Sequence, residues 1–107
     1  MEGEYAVVTT ACASQEEADK LTGLLLTKRL AACVQSFPVR SSYIWKGEIC
    51  RQQEVLLQIK CRSGLFPQIR QEIYENHSYE VPEILCTPVT DGLKAYFDWM
   101  DEVSEKN

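Results

Sequence analysis

The sequence predicts an α+β domain in which two helices pack on one face of a four-stranded antiparallel sheet and a third helix follows. Strand-like and helix-like hydrophobic periods alternate along the chain, and a two-residue turn joins the two longest strands. The length of 107 residues and the 45% share of hydrophobic residues are those of one ordinary globular domain. We therefore expect residues 1–107 to form a single domain.

The first strand and the first helix are predicted from composition and capping. Residues 4–12 are rich in β-branched and aromatic side chains and contain neither glycine nor proline, which is typical of a strand. Ser14 and Glu17 then form the S-x-x-E capping box of a helix start. This helix is expected to continue to about Leu30. Its buried face is marked at helical spacing by Ala18, Leu21 and Leu25.

A long hairpin follows the first helix. Residues 31–46 predict an extended strand, in which Pro38 lacks an N–H group and therefore indicates a bulge or a sheet edge. Lys46 and Gly47 form the turn, because Gly47 readily adopts the positive φ of tight hairpins. The third strand is expected to run to about Arg62. Its apolar face carries Val55, Leu57, Ile59 and Cys61, and its mostly polar face carries Glu54, Leu56, Gln58 and Lys60.

The second half of the chain predicts a helix, a short strand and a last helix. Residues 63–77 have a helical apolar stripe with a proline in the first turn, where its missing N–H is tolerated. Residues 84–89 form the fourth strand, and Thr90 or Asp91 is expected to cap the last helix. The tail 104–107 is expected to fray. The broad apolar face of the last helix consists of Leu93, Tyr96, Phe97, Trp99, Met100 and Val103.

The order βαββαβ plus a C-terminal helix is that of a ferredoxin-like sandwich. Right-handed crossovers place the first two helices on one side of the sheet and leave a mostly polar face uncovered. The two middle strands have about 14 residues each, roughly 45 Å at about 3.3 Å per residue, so their hairpin overhangs the shorter outer strands. Exposed strand edges and aromatic side chains at its tip predict a ring of identical subunits. The tip residues are Tyr43, Ile44, Trp45 and Ile49.

Composition and charge exclude several classes of protein. The net charge of −5 gives no electrostatic support for phosphate-tracking nucleic-acid binding or for non-specific adsorption to a membrane surface. No apolar run approaches the roughly 20 residues of a membrane span. The five cysteines form no C-x-x-C pair, so neither a disulfide scaffold nor a zinc knuckle is predicted. Residues 1–5 lack the basic and apolar regions of a secretion signal, and we expect a cytoplasmic protein.

The predicted topology brings chemically competent side chains to one edge of the sheet. Cys12, Trp45, His77 and Glu83 are expected to converge there, near Glu80. Imidazole with thiolate or carboxylate suits copper or zinc, and the added aromatic residues also suit a small ligand. Each residue has a structural alternative: the histidine complements a helix C-terminus, the cysteine is a packed thiol and the tryptophan anchors a subunit contact.

Other activities of this fold do not match these residues. An RNA-recognition domain needs aromatic residues on the open sheet face, whereas Glu54, Gln58 and Lys60 occupy it. An acyl-phosphate hydrolase needs an anion-binding loop with glycine and arginine after the first strand, and residues 11–15 contain neither. No Ser-His-Asp set or paired carboxylates at helical spacing indicate hydrolysis. We therefore predict no enzymatic activity and no organic cofactor.

Three segments and one carboxylate resemble the CutA divalent-cation tolerance family. They are KRLAACV at 28–34, SYIWKGEI at 42–49, HSYEVPEI at 77–84 and Glu54, which occur in the family's order along nearly the whole chain. The resemblance implies a ferredoxin-like homotrimer, similar in assembly to the PII signalling proteins, with clefts between subunits. It also implies a link to tolerance of copper and other divalent metals, and in animal relatives to anchoring and processing of acetylcholinesterase.

The resemblance also assigns expected roles to residues of this chain. His77 resembles the family's metal-ligand histidine. Thr10 stands where some bacterial members have a cysteine implicated in copper binding, with Cys12 on the same strand face, and Ser78 stands where many have proline. The residues that resemble those of the interface cleft are Tyr43, Trp45, Glu54, Lys60, Tyr79 and Glu83.

Three functional hypotheses follow. The first is a non-enzymatic cytoplasmic homotrimer that weakly binds Cu(II) or Zn(II), with His77 as first ligand assisted by Glu83 or Cys12. The second is a PII-like signalling or scaffold trimer that binds a small ligand or a protein partner in its clefts. The third is a rigid trimeric hub for membrane-complex assembly. None of them involves nucleic acid or direct insertion into a membrane.

Overall fold

The ferredoxin-like architecture is confirmed in a computed structural model, which describes residues 3–106. Its four strands form one antiparallel sheet in the order β2-β3-β1-β4. None of the helices in the described residues is both long and apolar enough to cross a membrane. The elements are β1 (Tyr5–Cys12), α1 (Gln15–Thr27), β2 (Cys33–Trp45), β3 (Glu48–Arg62), α2 (Phe66–Asn76), β4 (Leu85–Val89) and α3 (Lys94–Val103).

The core lies between one face of the sheet and the first two helices. The predicted apolar faces of β3, α1 and α2 pack in it, with Val55 at its margin only partly buried, and alternate residues of β1 complete the layer. Burial of these side chains supplies the main driving force for folding, at about 25 cal/mol per Å² of apolar surface. The side chains without solvent exposure include Val8, Leu21, Leu25, Leu57, Ile59, Ile69 and Ile73.

The start of α1 is capped as predicted, but its end comes earlier than Leu30. The hydroxyl of Ser14 accepts a hydrogen bond from the Glu17 N–H at 3.1 Å. At the other end Arg29 adopts a left-handed φ of 57°, and the Leu30 N–H bonds back to the Leu25 carbonyl. This is a Schellman motif, which satisfies the last carbonyls of the helix and pairs two buried leucines. It ends α1 at Thr27 although arginine, not glycine, takes the left-handed position.

Two predictions for the C-terminal region are wrong. Leu93 occupies the N-cap position of α3 without a side-chain bond, so neither Thr90 nor Asp91 caps this helix. The Asp91 carboxylate instead accepts the N–H of the next residue at 2.8 Å. The tail does not fray at 104–106, because Ser104 is buried and the Glu105 N–H donates to the Arg29 carbonyl at 2.8 Å. Residue 107 of the expected tail lies outside the described residues.

The sheet face opposite the core is not left uncovered, because α3 packs on one end of it. The Tyr5 ring stacks on Phe97 with ring centroids 4.3 Å apart, and its hydroxyl donates to Asp101 at 2.9 Å. The Lys60 ammonium lies 6.0 Å from the centroid of the Tyr96 ring, at the same end. The open part of this face is therefore confined to the end nearer the hairpin tip.

The hairpin projects beyond the rest of the sheet, as predicted. β2 and β3 pair without interruption from Cys33 opposite Lys60 to Trp45 opposite Glu48. Pro38 therefore causes no bulge, and its tolerance comes from the edge position of β2. β1 ends opposite Val55, so residues 48–54 pair with β2 alone over about 23 Å at about 3.3 Å per residue. The molecule is accordingly elongated, with a longest dimension of 44 Å.

Two glycine-to-alanine substitutions should change stability in opposite directions. Gly47 has a φ of +81° in the hairpin turn, whereas Gly23 lies in the helical backbone of α1, and an added Cβ meets no atom within 4 Å at either site. Gly47→Ala should lower the free energy of unfolding by about 1–2 kcal/mol through backbone strain. Gly23→Ala should raise it by about 0.5–1 kcal/mol. Urea denaturation at one fixed protein concentration measures both, and a loss of stability in both variants would contradict the assignment.

Candidate metal site and adjoining groove

Three side chains with different donor atoms meet where β1 ends, α1 begins and α2 ends. Cys12 is the last residue of β1, Glu17 lies in the first turn of α1, and His77 directly follows α2. The Cys12 sulfur, a Glu17 carboxylate oxygen and a His77 ring nitrogen all lie within 4.8 Å of one another. We call these residues the Cys12–Glu17–His77 cluster. The sequence analysis identified Cys12 and His77 as candidate ligands, but it assigned Glu17 only to the capping box at the start of α1.

The His77 side chain is completely buried and both of its ring nitrogens are hydrogen-bonded. Nδ1 accepts the Tyr79 N–H at 3.1 Å, and this places the imidazole proton on Nε2. Nε2 then donates to the Ala11 carbonyl at 2.9 Å. A Glu17 oxygen lies 3.7 Å from Nδ1. The ring is thus held in one orientation, with Nδ1 facing the carboxylate of the cluster.

The Glu17 carboxylate connects the β1–α1 turn to the loop after α2. One oxygen accepts the Ala13 N–H at 2.8 Å and the other accepts the Ser78 N–H at 2.6 Å. Burial by itself raises the pKa of Glu17, but the hydrogen bonds from Ala13 and Ser78, together with the nearby imidazole of His77, outweigh it and lower this pKa below its usual value. The group is therefore an anion at neutral pH.

Cys12 is a buried thiol with a strongly raised pKa. Its side chain has no solvent exposure, and burial followed by the negative charges of Glu17 and Glu54 raises the pKa of Cys12 to about 12. Thr10, two residues earlier, is also fully buried, and its hydroxyl has no hydrogen-bond partner within residues 3–106. A metal ion could use the Cys12 sulfur only by displacing its proton.

The other predicted site residues, except Lys60, line a groove on the opposite side of the sheet from the core. Its volume is approximately 670 Å³, and Glu83 lies in its wall rather than in the cluster. The expected convergence at one edge is therefore divided between two sites that adjoin at the end of β1. The groove is lined among others by Tyr43, Trp45, Glu54, Tyr79, Glu80 and Glu83.

A chain of hydrogen bonds crosses the floor of the groove. The Tyr43 hydroxyl donates to the Gln52 carbonyl oxygen at 2.6 Å, and the Gln52 amide donates to the Tyr79 hydroxyl at 2.7 Å. The Tyr79 hydroxyl in turn donates to Glu54 at 2.7 Å. Glu54 is only 7% exposed, and burial together with this bond raises the pKa of Tyr79. The role of Gln52 carries no signal in the sequence, because it depends on a loop that folds back from α2.

Lys60 lies away from both sites, and the other four cysteines lie outside the cluster. Lys60, which was expected in the same cleft, sits at the other end of the sheet beneath α3. All five cysteines are free thiols, and Cys12 alone among them belongs to the cluster. Burial followed by the neighbouring Cys86 raises the pKa of Cys61 to about 12, so this thiol matches Cys12 in protonation but not in position.

Residues 6–103 match the model of the CutA1 divalent ion tolerance protein family. The chain is 42% identical over 92 residues to the divalent-cation tolerance protein CutA of Archaeoglobus fulgidus, covering 86% of this chain and 90% of that protein. A solved structure of the A. fulgidus protein, described as periplasmic, has a TM-score of 0.93 and 39% identity, covering 94% of this chain and 99% of that one. CutA1 of Shewanella sp. SIB1 has a TM-score of 0.95 and 36% identity, with coverages of 99% and 100%.

Substitution of Glu17 by glutamine should reveal how much its ionised form stabilises the fold. The folded pKa of Glu17 lies below the usual 4.5, so its contribution is complete above about that pH and is lost as the pH falls through the folded value. Glu17→Gln should therefore lower the free energy of unfolding at neutral pH by about 1–3 kcal/mol. The difference from the original chain should shrink as the solution is acidified.

Denaturant unfolding across a pH series measures this difference. Glu16→Gln is the matched control, because Glu16 is exposed in the same helical turn and its substitution removes one negative charge as well. A loss of stability in Glu17→Gln that is the same at acid and neutral pH would mean that its charge has no role.

Proposed function

The chain belongs to the CutA1 divalent ion tolerance protein family, and we propose that it serves metal tolerance by binding Zn(II) or Cu(II) at the Cys12–Glu17–His77 cluster. One observation carries this proposal. Sulfur, oxygen and nitrogen donors lie within 4.8 Å of one another at the junction of three elements. This donor set suits zinc and copper, and three protein ligands leave a position open for water.

Nδ1 is the ligand atom of His77 in this proposal. It faces the Glu17 carboxylate at 3.7 Å, while Nε2–H donates to the Ala11 carbonyl. Metal-bound histidines commonly use their second ring nitrogen in this way, which fixes the tautomer and the ring orientation. Glu17 takes the ligand position that the sequence had suggested for Glu83, because Glu83 lies in the groove wall.

The affinity should be modest, since three existing interactions oppose the ion. The Cys12 thiol must lose its proton, and Nδ1 must give up the Tyr79 N–H. The Glu17 carboxylate already accepts two backbone N–H groups. Zinc ligands lie about 2.0–2.3 Å from the ion, so the three donors must also move somewhat closer together. We therefore propose weak, exchangeable binding.

We propose a binding role without catalysis. A nucleophilic cysteine requires a thiolate that the substrate can reach, whereas the Cys12 thiol is buried and protonated at neutral pH. The His77 nitrogens are both engaged with backbone groups, so the ring has no free position for proton transfer to a substrate. We further propose that the protein acts in the cytoplasm, whereas the A. fulgidus protein is described as periplasmic.

We propose that the functional form is a homotrimer with PII-like assembly. Residues 48–54 pair only with β2, which leaves a free strand edge beside the hairpin tip. Ile44 and Ile49 face each other there and are 77% and 67% exposed. Paired hairpins of neighbouring subunits would cover both the edge and these side chains. The family resemblance supports three copies.

A second candidate function belongs to the groove. Its volume of approximately 670 Å³ is sufficient for a small ligand, and its floor carries the buried Glu54 carboxylate with aromatic walls. A signalling or scaffold trimer that binds a small molecule or a partner protein here is the alternative. A ligand retained by native protein in mass spectrometry would favour it over metal binding.

Zn(II) titration by calorimetry should show one saturable site per chain, with about one proton released per ion from Cys12 at neutral pH. Above neutral pH the affinity should therefore rise by about tenfold per pH unit. His77→Ala should abolish binding. Cys12→Ser should abolish the proton release and weaken binding by at least about tenfold. Loss of a residue that only hydrogen-bonds to a metal ligand already has an effect of that size.

Cys61→Ser is the matched control for the thiol, because Cys61 is equally buried and has a similarly raised pKa outside the cluster. His77→Gln, which keeps an N–H donor for the Ala11 carbonyl, controls for general unfolding of the alanine variant. Zn(II) binding of equal strength in all four variants would refute this site.

The oligomeric state gives a further prediction. Light scattering should yield three times the chain mass of 12.2 kDa. Ile49→Asp should reduce it to the mass of one chain, because a charge at the hairpin tip cannot be buried without a partner. Leu26→Asp, which adds the same charge on the exposed side of α1, should leave the mass unchanged. A trimer that persists in Ile49→Asp would place the interface elsewhere.

A further inference from the structure

Tyr79 contacts both the cluster and the groove. Its backbone N–H donates to Nδ1 of His77 at 3.1 Å, and its phenol donates to Glu54 at 2.7 Å. The two rings also touch, with the imidazole and phenol centroids 4.9 Å apart at an angle of 49°. One residue thus connects the proposed ligand atom on one side of the sheet with the buried carboxylate on the other.

Nδ1 of His77 cannot hold both the Tyr79 N–H and a metal ion. A neutral imidazole that carries its proton on Nε2 has one lone pair on Nδ1. That lone pair already accepts the Tyr79 N–H, and the Nε2 proton is fixed by the Ala11 carbonyl. An ion on Nδ1 therefore has to displace the Tyr79 backbone from its present position.

Glu17 ties the neighbouring residue to the same cluster. The carboxylate oxygen that lies 3.7 Å from Nδ1 also accepts the Ser78 N–H. A carboxylate oxygen has a second lone pair, so Glu17 can keep this bond while it binds an ion. The displacement is therefore required of the Tyr79 backbone, and Ser78 stays attached to Glu17.

We propose that metal binding at the Cys12–Glu17–His77 cluster is coupled to the groove through Tyr79, whose release from Nδ1 pulls its phenol away from Glu54 and Gln52. This inference rests on the proposed metal site and adds a form of regulation to it. An occupied cluster opens the floor of the groove. Contacts that hold the phenol in the groove conversely weaken metal binding, since coupling between two sites is reciprocal.

The displacement reaches the groove because both partners of the phenol belong to the sheet. Glu54 and Gln52 lie in β3 and are paired with Val39 and Ser41 of β2, so neither can follow a moving loop. The phenol ring is rigid, and its hydroxyl makes two hydrogen bonds that are both 2.7 Å long. A shift of the Tyr79 backbone therefore stretches these bonds or forces the ring to turn.

Tyr79→Phe tests this coupling because it removes the groove bonds and keeps the backbone N–H. It should tighten Zn(II) binding by about tenfold. This factor is less than the full contribution of a hydrogen bond to a charged group, because only part of that bond energy opposes the ion. A purely structural role would act in the other direction, since a looser fold would weaken the site. Tyr74→Phe is the matched control, because Tyr74 is 60% exposed on α2. The Zn(II) affinity of this variant should equal that of the original chain.

Glu54→Gln provides a second variant with the phenol intact. It weakens the acceptor of the Tyr79 hydroxyl and should also tighten Zn(II) binding, by less than Tyr79→Phe does. The charge of Glu54 also acts on Cys12, so the double variant separates the two effects. The part of the Glu54→Gln effect that disappears in the Tyr79→Phe background acts through the phenol, and the proposal requires that part to be measurable.

The Tyr79 amide supplies a direct structural readout. In ¹⁵N-labelled protein saturated with Zn(II), its amide resonance should shift and its hydrogen exchange should accelerate, because the bond to Nδ1 is lost. Zn(II) binding that depends on His77 but has the same affinity in Tyr79→Phe, with an unchanged Tyr79 amide, would overturn the coupling and leave the metal site standing. Absence of Zn(II) binding from all variants would overturn both proposals.

Discussion

β1 ends at Cys12, opposite Val55, while β3 continues through residues 48–54 toward the hairpin tip. This difference in strand length determines the positions of both candidate sites. Beyond the end of β1 the loop after α2 can pass from the core side of the sheet to its open side. His77 therefore lies beneath the end of β1, bonded to the Ala11 carbonyl, and Tyr79 reaches Glu54 on the far side.

The cluster satisfies its polar groups without a metal ion. The imidazole uses both nitrogens and the carboxylate accepts two backbone N–H groups. A buried polar group without a partner costs about 1–3 kcal/mol, so these bonds keep the cluster stable in its present form. A zinc finger, by contrast, is unfolded without its metal. The proposed metal binding would therefore replace existing interactions of an already folded protein, among them the bond between the Tyr79 N–H and His77.

Most of the fold could be predicted from local signals. The strands, the capping box at Ser14, the turn at Lys46 and Gly47 and the order of elements depend on periodicity and on backbone preferences within a few residues. Two errors fall where distant contacts decide, because the tail is held by the Arg29 carbonyl and α3 covers part of a sheet face that the topology alone leaves open. The end of α1 is a local error, because arginine takes a left-handed position that glycine usually marks.

The sequence by itself determined the fold class, the overhanging hairpin and the family resemblance, and it named His77 and Cys12 as candidate ligands. Only the tertiary structure decided which residues share a site. Glu17 joined the cluster, Glu83 faced the groove, Lys60 lay under α3, and Gln52 bonded Tyr79. The reason is geometric: spacing along a helix or strand fixes which face a side chain takes, whereas the path of a loop around a strand end fixes which side of the sheet it reaches.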